Sequence, residues 1–432
     1  MLILHQRILY LLIIAYPVFY LGIGNKYPWI LLGKNGSNLG IIFFFGVNAL
    51  FITSALCIKL EKIPPKKLAL TFKINVLISL IFTLLYDFIQ YHHFRSLGYR
   101  SPILLYLISI ISIFTLMTTI NKSRIKSSFK IICIFVALHT LLSIFYFPLA
   151  VERSDMLGAI MVALQQFFNN ADPYQHVMSN IGVPAYLPMT ILSFTPAFFL
   201  KLDPRIIGLF YTIIFLYLIY IKIDKLKLLN QYAICLIILN PYWLMRHDLY
   251  FQFFILELVI ILLYSYNYFY RILIWGFTLA TSQFAIILLP FFCLAKAKTI
   301  IHAVREVILI LIIAALIIIS FAHNNLYSFF NAISQHREYT LPYNSDITFG
   351  ISPIFHFTKN QIGLYIVQII GCMLILCFSI YQFIVNKERD SNYYIASGIM
   401  CFFYFMITNY FLETYLYIPL LITIALANTK TK

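Results

Sequence analysis

The chain has 432 residues, of which 62% are hydrophobic and 11% charged, and its formal net charge is +16. A soluble domain carries about 25% charged residues, so a water-soluble fold is excluded, and apolar runs much longer than the ~10-residue strands of a membrane barrel exclude that architecture too. The positive charge does not point to nucleic acid, because Lys and Arg sit in short loops between apolar runs, where they set membrane orientation.

The first four apolar runs are 7–23, 39–58, 74–93 and 102–121. Runs of roughly 17–25 residues cross a bilayer core as helices. Arg7 precedes the first run and no small-residue cleavage site follows it, so a retained span is expected rather than a removed signal. These four spans form an N-terminal extension, 1–127, ahead of a core at 128–432. Asp87 falls near the outer end of its run and carries no reading beyond that position. The seven cysteines all lie in apolar runs and read as small buried hydrophobes.

The run 131–149 opens the core and is followed by Glu152, Arg153 and Asp155. Residues 155–168 place apolar side chains at 156, 157, 160, 161, 163, 164 and 167, the pattern of an amphipathic helix lying on the membrane surface. Asp155 at its start is either a helix cap or a general base for a hydroxyl. The segment 184–200 has prolines at 184, 188 and 196, which break helices, so it is expected to lie along the surface rather than cross. That choice puts Lys222, Lys225 and Lys227 with the other cytoplasmic basic residues.

Further along, Asn240-Pro241-Tyr242-Trp243 leads to Arg246-His247-Asp248, where Tyr and Trp suit the headgroup belt and Arg and His suit a phosphate. Glu257 lies inside an apolar run and is expected to face the bundle interior. The run 272–297 is long for one span and polar at Thr281-Ser282-Gln283, so two half-spans hinged at Ser282-Gln283 are expected. His336-Arg337-Glu338-Tyr339 and Lys359 form a further cationic group, read either as solvated loop or as phosphate-binding.

These elements predict an all-α polytopic membrane protein of about fourteen crossings, with both termini cytoplasmic. Two long loops, 150–205 and 323–361, then face outward. This arrangement leaves 21 of the 31 basic residues inside, as the positive-inside rule requires.

The first outer loop resembles that of the GT-C glycosyltransferases, and most nearly the bacterial polyprenyl-phosphate-mannose-dependent mannosyltransferases. The resemblance rests on Asp155, Asp172-Pro173-Tyr174, Tyr186-Leu187-Pro188, Phe194-Thr195-Pro196, Asn240-Pro241 ahead of Arg246-His247-Asp248, and Gln283-Phe284 through Leu289-Pro290. It covers about 128–427. It implies a GT-C-like core and inverting transfer of a mannose-like hexose from a polyprenyl-phosphate donor to a glycan or glycolipid acceptor. The site would lie on the periplasmic or extracellular face of a bacterial inner membrane. Asp155 would be the base. Glu152, Arg153, Tyr174, Tyr186, Arg246, His247, Asp248, Gln283, His336, Arg337 and Lys359 would be the substrate-binding set. The sequence departs from the family in its four leading spans and in Gln283, where relatives often carry Lys. Glu152 and Asp155 are three residues apart and lack the paired-acid signature of metal-dependent members, so no metal site is assigned, although two carboxylates and a phosphate can share a divalent cation. Competing readings are a lipid-linked-sugar flippase or other transporter, and a polysaccharide polymerase using a lipid-diphosphate donor.

Overall fold

The computed structural model describes residues 65–95, 102–120, 125–146, 155–175, 186–226, 228–239, 267–281, 285–332 and 361–385, with 396 and 400. Among them there is no strand. The helices are α1 (Pro65–Arg95), α2 (Ile103–Thr119), α3 (Ile125–Tyr146), α4 (Asp155–Phe168), α5 (Pro188–Leu192), α6 (Thr195–Leu200), α7 (Arg205–Lys222), α8 (Leu228–Ile238), α9 (Tyr268–Thr281), α10 (Ala285–Lys296), α11 (Ile300–Phe321) and α12 (Gln361–Val385). A further helical segment covers 326–332.

Four described helices are long and apolar enough to cross a membrane: α3, α7, α11 and the Ile366–Val385 part of α12. On α11 one face buries Ala303, Glu306, Ile310 and Ala314, while Ile308, Ile312, Leu316 and Ile319 are exposed. An apolar face of that size on a spanning-length helix matches lipid, not water.

Cross-contacts fix the relative directions of several helices. At one end of α3, Lys126 Nζ lies 2.7 Å from Asp224 Oδ2, in the turn after α7. At the other end, Arg205 at the start of α7 donates to the carbonyl of Ile144 at 3.0 Å. So α3 and α7 run antiparallel, and the Lys222 end of α7 sits beside Lys126. Phe72 of α1 stacks on Tyr232 of α8 at 4.2 Å, which places the Lys66 end of α1 there too.

The 272–297 run is a hairpin of two short helices. Arg271, early in α9, forms a bidentate ion pair with Glu306, early in α11, with Nη2 2.7 Å from Oε2. Further along, Gly276 of α9 faces Ile313 of α11. Hence α9 and α11 run parallel. The turn between α10 and α11 is only 297–299, and the two helices pack together, so α10 runs antiparallel to both. Trp275 of α9 meets Phe292 of α10 edge-on at 4.9 Å. Helices of 14 and 12 residues reach about 21 and 18 Å, short of the ~30 Å hydrocarbon core. Thus the start of α9 and the end of α10 lie at the same end of the bundle. Arg271 and Lys296 share that end, as the half-span expectation required.

One end of the molecule is therefore basic, with Lys66, Lys73, Lys126, Lys130, Lys222, Arg271, Lys296, Lys298 and Arg305. The other end carries Arg95, Lys201 and Arg205 among the described residues.

Candidate functional site

At the less basic end, the start of the first long loop and the start of the second form one apolar cluster. It contains Leu157, Ile160 and Leu164 of α4, Tyr174, Ile191 of α5, Phe194, Phe321 of α11 and Phe329. The face of α4 that packs inward is the one its periodicity predicts, with Ala159 added. Burying each Leu or Ile there contributes about 1.5–3 kcal/mol.

Local signals shape the loop. After α4 the chain reverses at Asn170, whose positive φ of 56° suits an asparagine, and Ala171 N–H donates back to Gln166 at 2.9 Å. Asp172 Oδ1 then accepts from the Tyr174 N–H at 2.9 Å, an Asx-turn that sets up the Asp172-Pro173-Tyr174 corner. Tyr174 is fully buried, edge-on to Phe329 at 5.1 Å, and its hydroxyl donates to the carbonyl of Tyr186 at 2.9 Å. Burial, and secondly the nearby charge of Asp172, push its phenol above the usual tyrosine range. Asp172 Oδ2 is buried and has no hydrogen-bond partner among the described residues.

The proline-broken segment is two short helices, α5 and α6, parted at Ser193-Phe194. Neither has the length to cross a bilayer. Thr190 of α5 donates to the carbonyl of Thr281, the last residue of α9, at 2.6 Å. The loop is thereby seated on the tip of the α9–α10 hairpin. Asn324, after α11, donates to the Asn170 carbonyl at 3.3 Å and ties the second loop to the first.

Of the predicted site residues, the structure brings together Tyr174 and Tyr186, and it starts α4 at Asp155. The Asp155 side chain lies outside the described residues, as do Glu152, Arg153, Arg246, His247, Asp248, Gln283, His336, Arg337 and Lys359, and Glu257. Among the described residues no three His, Cys, Asp or Glu side chains gather as a metal site.

Besides the Lys126–Asp224 and Arg271–Glu306 pairs, two ionic constellations near the loop end and inside the bundle escaped the sequence reading. Arg205 is buried and holds Asp203, Nε to Oδ1 at 3.0 Å, while also bonding Ile144, so it joins α3 to the loop end of α7. Inside the bundle, Asp87 of α1 pairs with His139 of α3. The first had a visible signal, an Asp-Pro-Arg step just before a span. The second had half of one, an acid within an apolar run, without its distant partner.

No family model matches this chain, and no curated protein or solved structure matches it either.

Proposed function

We propose that the protein is an integral-membrane glycosyltransferase of the GT-C type, with about fourteen crossings and its long loops on the periplasmic or extracellular face of a bacterial inner membrane. It moves a mannose-like hexose from a polyprenyl phosphate to a hydroxyl acceptor on a glycan or glycolipid, with inversion. The observation that carries the reading is the Tyr174–Tyr186 bond. It joins two motifs of the resemblance, Asp172-Pro173-Tyr174 and Tyr186-Leu187-Pro188, into one unit on α4 and the hairpin tip.

The chemistry follows from where such a donor sits. Its lipid tail lies in the bilayer and its anomeric carbon at the interface, so the base must wait at the membrane surface, where α4 begins. Asp155 takes the acceptor's proton as the hydroxyl oxygen attacks the anomeric carbon and the phosphate leaves. Arg246, Arg337 or Lys359 stabilises the departing phosphate, with Glu152, Arg153, His247, Asp248, Gln283 and His336 completing the substrate contacts.

Sugar transfer from a polyprenyl-phosphate donor by the purified protein tests this. Asp155→Asn keeps a cap acceptor but removes the base, and should lower turnover ~10²–10⁴-fold. Near wild-type transfer by that variant ends the catalytic assignment. Glu152→Gln is the paired control, since a second essential carboxylate would indicate a metal. A transporter is the second reading, favoured by one observation: the buried ionisable pair between α1 and α3.

A further inference from the structure

Asp87 and His139 are buried between α1 and α3, with His139 Nε2 2.9 Å from Asp87 Oδ2 and side-chain exposures of 3% for Asp87 and 0% for His139, and His139 lies on the spanning-length helix α3. Asp87 belongs to the N-terminal extension and His139 to the core. Ionisable groups at membrane depth are rare, costly and mark pathways or relays more often than packing. Hydroxyl side chains alone have a simpler role, since they allow close helix contact and bond their own helix, as Thr83 does to the Ser79 carbonyl at 2.9 Å. An acid and an imidazole add nothing to close packing.

The pair also terminates a polar line. On α1, Asn75, Ser79, Thr83 and Asp87 recur every fourth residue, and all are buried. That spacing puts them on one face over about 18 Å of helix. The helices packed against α1 and α3 bury hydroxyl side chains as well. α2 buries Ser109 and Ser112, and α3 buries Thr140 and Ser143 next to His139. On α7, also packed on α3, Thr212 is buried, and the charged groups are Arg205 with Asp203 at the loop end, bound to Ile144 five residues beyond His139. Phe135 lies against the His139 ring at 5.4 Å.

We propose that the Asp87–His139 pair is a proton-relay site within the membrane region, reached along the polar face of α1. The step balances without any other reactant. A proton arriving at one imidazole nitrogen forms a new N–H bond, the proton on the other nitrogen passes to the Asp87 carboxylate, and that carboxylate releases it to the next acceptor. Ring tautomerisation restores the start. The pair holds one proton before and after, so no net charge accumulates in the low-dielectric interior. This inference is independent of sugar transfer.

The full-length protein in phosphatidylethanolamine–phosphatidylglycerol vesicles with a trapped pH-sensitive dye tests it under an imposed proton gradient. Wild-type vesicles should acidify several-fold faster than protein-free vesicles. Asp87→Asn and His139→Gln should each return the rate to the protein-free value, and Asp87→Glu, which keeps a carboxylate, should retain part of it. Lys126→Ala, at the basic end, should leave it unchanged. Wild-type acidification no faster than protein-free vesicles overturns the proposal without reference to any variant. Wild-type rates in Asp87→Asn or His139→Gln overturn it as well.

Discussion

Tyr174 does two jobs with one side chain. Its ring fills the space against Phe321 and Phe329, and its hydroxyl satisfies the Tyr186 carbonyl. Tyr174→Phe keeps the ring and should cost about 1–3 kcal/mol, the penalty for leaving a buried polar group unpaired, read as a lower thermal midpoint in detergent. The pH dependence has a definite sign. A tyrosine whose folded pKa is raised adds stability that is fully present below its unfolded value of about 10 and is lost as pH climbs toward the folded value. Stability should therefore be flat through neutral pH and fall in strong alkali, and Tyr174→Phe should reduce that fall. Arg205 makes a comparable case. Asp203→Asn leaves a buried guanidinium without its carboxylate. The cost should be about 1–3 kcal/mol, below that of a wholly buried pair because Asp203 is partly exposed.

Among the elements, the α9–α10 hairpin depends most on a single close approach. A Cβ built on Gly276 would lie 2.8 Å from the Ile313 Cβ, well inside contact. Gly276→Ala should force α9 away from α11 and cost about 1–3 kcal/mol. The double variant Gly276→Ala with Ile313→Ala should recover part of the loss, because the two changes share one contact. Thermal unfolding of the four proteins gives the coupling, and simple additivity would mean that the helices do not meet there. The hairpin was legible in the sequence, since a polar step at Thr281 inside an overlong apolar run marks a break. The break of 188–200 into two short helices was legible for a related reason, its prolines. The parallel alignment of α9 with α11 was not, because Arg271 and Glu306 are 35 residues apart and no local spacing pairs them.

For the whole molecule, charge and apolar length carried the all-helical membrane reading, which the four spanning-length helices among the described residues support. Loop lysines already divided the ends, and the Lys126–Asp224 contact places the Lys222 end where that division expected it. The candidate site was less legible. Tyr174 and Tyr186 were reached through the resemblance, whose motifs contain them. The seating of the loop on Thr281 uses a backbone carbonyl, which no residue identity reveals. The buried polar line on α1 was passed over because single Ser, Thr and Asn residues scattered in an apolar run look incidental until helix packing shows that they share a face.

The central claim is that the described parts of the two long loops, which pack together opposite the basic end, face the outer side of the membrane. It is tested most directly by labelling single cysteines, in a background lacking the seven native ones, with a membrane-impermeant thiol reagent on intact cells. Gln175→Cys and Tyr327→Cys, both at exposed positions, should label from outside, and Lys298→Cys only after permeabilisation. Labelling of Gln175→Cys and Tyr327→Cys from opposite sides, or of Lys298→Cys together with them in intact cells, would contradict the account.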